Sequence, residues 1–379
     1  VDAAILRLSA PTATTLTETD YRPVLSGYLP FICISTTLVA TTTRAKGNDR
    51  TSRPLSDPYP QEKGTFFMKL ATSLLLAAAA LSTTPAIAAS TYAQTKHPIV
   101  LVHGMGGFGA IGPIDYWYGM PKDLHDNGAS VHVPVLSGFE SSEVRGEQLL
   151  AQVQDILAIS GAAKVNLIGH SHGNTAVRYV AGVLPARVAS VTSVGGPVKG
   201  APAADLLKQA SELALIGAPL TSLITSIVNG MGKITDMMSG KTLSQDSLAG
   251  LTSLTTAGSA DFNRRFPAGV PTSACGEGAY VVNGIRYYSW SGTSPLTSVI
   301  DPSDAAMSLT SLAFVGQADW QNDGLVGRCS SHLGQVIRDD YLMNHFDEVN
   351  QVFGLVSLLG TNPKSVVRQH ANRLKLAGF

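Results

Sequence analysis

Val165-Asn166-Leu167-Ile168-Gly169-His170-Ser171-His172-Gly173 is the stretch on which the reading of this chain turns. An apolar, strand-like run (Val165 to Ile168) ends in Gly169-His170-Ser171-His172-Gly173. A helix-like run from Thr175 to Leu184 follows, with Val177, Val180, Val183 and Leu184 at helical spacing and Pro185 closing it. The pattern therefore puts one serine on a strand-to-helix turn. A serine hydroxyl is a weak nucleophile, and it gains reactivity only when held out from the backbone beside a base and beside free N–H groups. The two glycines permit such a bend by removing Cβ clashes. With 37 glycines in 379 residues, GxSxG alone arises by chance roughly 0.3 times, so the flanking strand and helix supply the weight.

Outward from the turn, strand-like runs recur at Ile99–Val102, Val131–Val135 and Val188–Val194. A helix is predicted over Glu143–Ser160, with Val144, Leu149, Leu150, Val153, Ile156 and Leu157 on one face and Arg145, Glu147, Gln152 and Asp155 opposite. Alternating β and α runs predict an α/β fold with a mostly parallel central sheet and helices on both faces, in one domain spanning 90–379. The segment 210–240 breaks the alternation. It carries Leu220, Leu223, Ile224, Ile227, Val228, Met231 and Ile234 as an almost uncharged helical stripe, which reads either as ordinary core or as a mobile helical lid.

Composition bounds the remaining classes. The 27 basic and 27 acidic residues balance, 44% of residues are hydrophobic and 14% are charged. That is a globular composition with no basic face for nucleic acid. Met68-Lys69, an apolar stretch to Leu81 and Ala86-Ile87-Ala88-Ala89 before Ser90 have the shape of a signal peptide over 68–89, too short to span a bilayer. Residues 1–67 then read as translated upstream sequence or a disordered extension, and the protein is expected outside the cell, having passed through the periplasm. Setting Cys33 aside leaves Cys275 and Cys329, an even pair that suggests one disulfide in an exported chain. Closing that loop stabilises by about 4 kcal/mol on the chain-entropy model. Two free buried thiols are the alternative.

A serine nucleophile needs a base, an orienting carboxylate and donors for an oxyanion. In an α/β hydrolase one donor comes from the loop after the first strand and one from the residue after the nucleophile. His103-Gly104-Met105-Gly106-Gly107 thus nominates the backbone N–H groups of Met105 and His172. Chain order in this fold places the base late, leaving His332, His345 and His370. His345, in a loop before the last helix, is preferred, with His332 the runner-up. His370 reads as part of a solvated basic helix face. Among the late aspartates, Asp323 in the turn Asn322-Asp323-Gly324 is best placed to reach an imidazole on a neighbouring loop, although the same residue could merely close its turn.

At this point HGMGGF (103–108), VNLIGHSHG (165–173), SACGEGAY (273–280), NDGLVG (322–327) and MNHFDEVNQVFG (343–354) carry a resemblance. The chain resembles the true bacterial lipases of the Pseudomonas type, almost continuously from Ser90 to Phe379. The resemblance implies a secreted triacylglycerol lipase with the α/β-hydrolase fold, working as a monomer at a lipid–water interface. It implies a membrane-anchored foldase and a type II secretion system as partners. Carried onto this sequence, it implies Ser171, His345 and Asp323 as triad, Met105 and His172 as oxyanion hole, and a Cys275–Cys329 disulfide. It also implies one structural Ca²⁺ held by Asp301 and Asp347 with the carbonyls of Gln351 and Leu355; hard cations take such oxygen sets. Gly106 and Asn174 depart from the pattern at the acyl pocket and the turn. A carboxylesterase or polyester depolymerase with the same triad is the nearest alternative, and a non-catalytic lipid-binding protein a more distant one.

Overall fold

Val100 and Val102 point to one side of the first strand and Ile99 and Leu101 to the other, and all four are buried, so the sheet to which they belong is covered on both faces. A computed structural model describes residues 90–108, 110–111, 114–215 and 246–379. All belong to one compact unit. The expectations for 1–67 and 68–89, and for the lid beyond residue 215, lie outside the described residues.

Strand β1 (Ile99–Val102) is followed by a small hairpin, β2 (Ala110–Ile111) with β3 (Ile114–Asp115), then helix α1 (Met120–Asp126) and β4 (Val131–His132). The fourth strand is shorter than the expected Val131–Val135. Helix α2 (Ser142–Ser160) starts where the Ser141 hydroxyl accepts the Val144 N–H and stops at Gly161, whose φ of 64° suits glycine. Then come β5 (Val165–His170), α3 (Gly173–Val183), β6 (Val188–Val194), α4 (Pro202–Leu215), α5 (Ser247–Leu254) and α6 (Thr256–Arg265). Strands β7 (Val281–Val282) and β8 (Ile285–Gly292), helix α7 (Pro302–Thr310), β9 (Gln335–Tyr341) and helix α8 (Pro363–Leu376) complete the chain.

The sheet runs β4-β1-β5-β6-β8, with β9 parallel to β8 and β7 antiparallel at the start of β8. Leu149, Val153 and Ile156 of α2 and Val177 and Val180 of α3 pack on one face, against Val100, Val102, Leu167 and Val191. Met120 and Leu124 of α1 and Val366, Val367 and Ala371 of α8 pack on the other, against Ile99, Leu101, Ile168 and Trp290. Each fully buried aliphatic side chain contributes about 1.5–3 kcal/mol relative to exposure.

Two expectations about helix faces are corrected. His370 is fully buried: its Nε2 lies 2.9 Å from the Thr192 hydroxyl, between the rings of Tyr288 and Trp290. The spacing Val366, Val367, His370, Ala371, Leu374 makes it part of the buried stripe of α8, and its polarity is met by the threonine on β6. Arg145 is fully buried while Val144 is the exposed neighbour. The first turn of α2 faces loop carbonyls that Arg145 can satisfy, as described below. Cys275 and Cys329 form the expected disulfide, with Cα atoms 4.6 Å apart.

Candidate active site

The strand β5 delivers Ser171 at its carboxyl end with φ of 54°, a left-handed conformation uncommon for serine. Its N–H bonds to the carbonyl of Val194 at the end of β6 (2.9 Å), and its carbonyl accepts the Asn174 N–H (3.0 Å) as α3 begins. The flanking glycines are required by close approach. A Cβ on Gly169 would lie 2.4 Å from the Gly173 carbonyl oxygen, and one on Gly173 would lie 2.5 Å from that of Val102. Helix α3 therefore starts directly against β1, and the serine stands at the top of the sheet.

His345 and Asp323 come together from separate loops. The imidazole Nδ1 lies 2.7 Å from Asp323 Oδ2, both groups are buried, and the Asp323 carbonyl also accepts the His345 N–H at 2.9 Å. The other carboxylate oxygen, Oδ1, accepts the N–H groups of Leu325 and Val326 at 2.8 and 2.7 Å. Because an ionised carboxylate only accepts, Nδ1 carries the proton and Nε2 is left with its lone pair. Ser171 and His345 line one mainly apolar cavity with Met105, Phe139, Leu207 and Leu325. Such a site can take a proton from a serine hydroxyl while an apolar chain lies beside it.

On the loop after β1, the Gly106 N–H bonds to the Gly138 carbonyl (2.8 Å) and that of Gly107 to Gly104 (3.2 Å). The backbone N–H groups of Met105 and His172 have no hydrogen-bond partner among the described residues. Free donors in that position suit a developing oxyanion. The Arg145 guanidinium holds the loop from behind, donating to the carbonyls of His103 (2.6 Å), Gly104 (3.2 Å) and Ser137. Burial brings its pKa down to about 10, which still leaves it charged at neutral pH. Helical periodicity assigned Arg145 to solvent, and only the tertiary contact makes it a buttress. Of the two departures, Gly106 adopts φ of 64°, and Asn174 is buried with a carboxamide that makes no hydrogen bond among the described residues.

His332 is engaged elsewhere. Its Nε2 lies 2.9 Å from Asp339 Oδ2 and its Nδ1 3.0 Å from the Gly276 carbonyl, while Arg328 grips the same Asp339 carboxylate. Gly276 and Arg328 adjoin the two half-cystines, so this cluster braces the disulfide.

Asp301 and Asp347 are both buried, and each keeps one carboxylate oxygen (Oδ2 and Oδ1 respectively) without a hydrogen-bond partner. Burial raises Asp347 to about 7, and the charges of Asp301 and Asp304 add to the rise. Asp304, which the sequence did not single out, is saturated instead: it accepts from Thr297 N–H, Ser298 N–H and the Asn344 carboxamide. A buried carboxylate oxygen without a partner is the kind of donor a hard cation takes, and Asp301 and Asp347 each present one. The loop carrying Gln351 and Leu355 folds back on itself, with the Gln351 N–H on Phe346 O and the Leu355 N–H on Val352 O, both 3.0 Å. The Gln351 carboxamide donates to the carbonyls of Asp115 and Tyr116.

Comparison with known proteins identifies the family. Residues 97–349 match the family described as alpha/beta hydrolase fold. A triacylglycerol lipase of Vibrio cholerae serotype O1 is 53% identical over 295 residues, covering 78% of this chain and 92% of that protein. One from Burkholderia plantarii is 42% identical (77% of this chain, 90% of that protein), and one from Pseudomonas fragi is 40% identical (76% and 98%). Among solved structures, EstA from Clostridium botulinum superposes with a TM-score of 0.51 at 16% identity, covering 74% of this chain and 88% of that chain, a likeness of fold alone. With a parallel sheet, a serine on a strained elbow at the end of β5 and relatives matched over most of their length, this chain belongs to the α/β-hydrolase-fold family, among the bacterial triacylglycerol lipases.

Proposed function

We propose that this protein hydrolyses the ester bonds of triacylglycerols through an acyl-enzyme on Ser171. The observation that carries this reading is the buried His345–Asp323 pair opening on the same apolar cavity as the elbow serine. His345 Nε2 takes the hydroxyl proton as Ser171 Oγ attacks the ester carbonyl. The N–H groups of Met105 and His172 receive the oxyanion. His345 then hands its proton to the departing alcohol, and in the second half-reaction it activates water to release the fatty acid. Asp323 keeps the imidazole in its Nδ1–H tautomer and steadies the positive charge that forms on it. Phe139, Leu207 and Leu325 give the acyl chain an apolar bed.

A Ca²⁺ ion held by Asp301 and Asp347, with carbonyls of Gln351 and Leu355, would tie the α7 end to the loop that follows His345. When bound it supplies charge neutralisation and rigidity, with no part in the chemistry. The orphaned oxygens of the two aspartates support this assignment. Residues 68–89 are read as a signal peptide for export through the periplasm, with a foldase and a type II system as partners; the support is their n-region, h-region and small-residue pattern.

The test is covalent. A phosphonate ester should add one equivalent to Ser171 and abolish activity, and Ser171→Ala should remove both labelling and hydrolysis while the protein stays folded. Full hydrolysis by Ser171→Ala would falsify the assignment. Activity that rises steeply once substrate exceeds its solubility limit separates a lipase from an esterase on the same triad.

A further inference from the structure

His170, one residue before the serine, is fully buried and takes no part in the proton transfers above, yet it touches both halves of the site. Its ring lies on that of His345, with centroids 4.5 Å apart and planes tilted by 41°. Its Nε2 is 3.0 Å from the His345 carbonyl oxygen, which can only accept, so this nitrogen carries the proton. Nδ1 is then an acceptor, and the Tyr116 hydroxyl donates to it at 2.7 Å. The same hydroxyl oxygen accepts the N–H of Gly104 at 3.0 Å. The result is a chain of directed hydrogen bonds from the backbone of the base, through His170 and Tyr116, to the residue before Met105.

The surroundings fix the polarity of that chain. Glu348 Oε2 lies 3.4 Å from His170 Nε2, and Glu348 Oε1 accepts the Gly292 N–H at 2.6 Å. Burial holds His170 well below the ordinary imidazole range, which keeps its ring uncharged at neutral pH. A neutral ring beneath His345 adds no repulsion when His345 becomes positive. Trp117 packs against the edge of His170 and leaves it little room to turn.

We propose that His170 and Tyr116 are positioning residues, a strut that sets the spacing between the base loop and the oxyanion loop. This rests on reading His345 as base and the Met105 N–H as oxyanion donor. A strut has a signature that a packing role lacks. Breaking it at either joint loses the same alignment, so two breaks together cost no more than one. Loss of alignment also lowers kcat, whereas lost substrate contact raises KM.

The experiment uses the full-length enzyme and a soluble short-chain nitrophenyl ester, with Tyr116→Phe, His170→Asn and the double variant. Asparagine keeps an acceptor near the Nδ1 position and loses the donor to His345. Each single variant should lower kcat by about 10- to 100-fold, the range expected for misalignment on the order of 1 Å, with KM within about twofold. The double variant should be no worse than the poorer single, and His170→Gln, whose amide reaches the Nε2 position, should recover part of the loss. Multiplicative losses in the double variant, a change confined to KM, or an unchanged kcat in Tyr116→Phe each overturn the strut. Tyr116→Phe removes one oxygen atom, so it keeps the test open if His170→Asn does not fold. Full activity in His345→Ala would instead remove the underlying reading. An inactive His345→Ala beside an unaffected Tyr116→Phe removes the strut alone.

Discussion

Removing divalent metal should make the stability of this protein fall as pH rises, and replacing Asp347 by asparagine should abolish that dependence. In the folded chain the Asp347 carboxyl is raised from 3.8 to about 7, chiefly by burial. A carboxyl that binds its proton more tightly when folded contributes stability while protonated and loses it as pH climbs from about 4 through 7. The full difference corresponds to about 4 kcal/mol at 1.36 kcal/mol per pH unit. Local relaxation and water entry should reduce this to about 2 kcal/mol, or a fall on the order of 5 °C in melting temperature between pH 5 and 8. Bound Ca²⁺ favours the ionised form, so in calcium the fall should vanish. In Asp347→Asn the orphaned Oδ1 position no longer needs a cation. With EDTA at pH 8 that variant should melt above the unsubstituted protein, and with calcium below it. Differential scanning calorimetry across pH 5–8, with calcium and with EDTA, reads all four curves. If chelator leaves the melting temperature unchanged at every pH, or the two proteins keep the same order in both buffers, the reasoning about Asp301 and Asp347 is wrong.

Three further outcomes follow from packing at the site. Gly173→Ala places a Cβ 2.5 Å from the Val102 carbonyl oxygen and 2.8 Å from that of His103, both backbone atoms. It should cost about 3 kcal/mol or more by urea unfolding, and a neutral result would mean that α3 does not rest on β1. Arg145→Met removes the guanidinium donor from the buried carbonyls at 103, 104 and 137, of which that of Gly104 keeps the Gly107 N–H; each carbonyl left unpaired costs about 1–3 kcal/mol before relaxation. The substitution should lower stability and kcat together, and a stable variant with normal kcat would show that the loop holds its shape unaided. Replacing Cys275 and Cys329 by serine frees a loop of 54 residues and should lower stability by about 4 kcal/mol. In that variant the His332–Asp339–Arg328 cluster should keep the local fold, which amide exchange at residues 276–280 and 328–339 would reveal.

Local chemistry carried much of the molecule into view from the sequence. Ser171, the two glycines beside it and the alternation of strand and helix depend on residues within a few positions of one another, and periods of two and 3.6 report directly on which faces are covered. The pairing of Asp323 with His345 was also within reach, because the turn Asn322-Asp323-Gly324 carries a short side chain that can reach an imidazole on a neighbouring loop, and chain order favoured His345. His370 and Arg145 escaped the same logic. Both sit where helical spacing allows two readings, and burial was decided by partners on other segments: Thr192 for one, three loop carbonyls for the other.

Short-range spacing and chain order were enough for the elbow, the parallel α/β sheet beneath it and the kinds of group available to the serine. The tertiary structure alone decided which polar groups are desolvated together. It placed Asp304 on donors, left one carboxylate oxygen each of Asp301 and Asp347 without a hydrogen-bond partner, and set His170, Tyr116 and Glu348 behind His345. Most of those partners are separated by tens of residues or more in the chain. Their charge states and bond directions arise only when folding excludes water from around them, which no local pattern encodes.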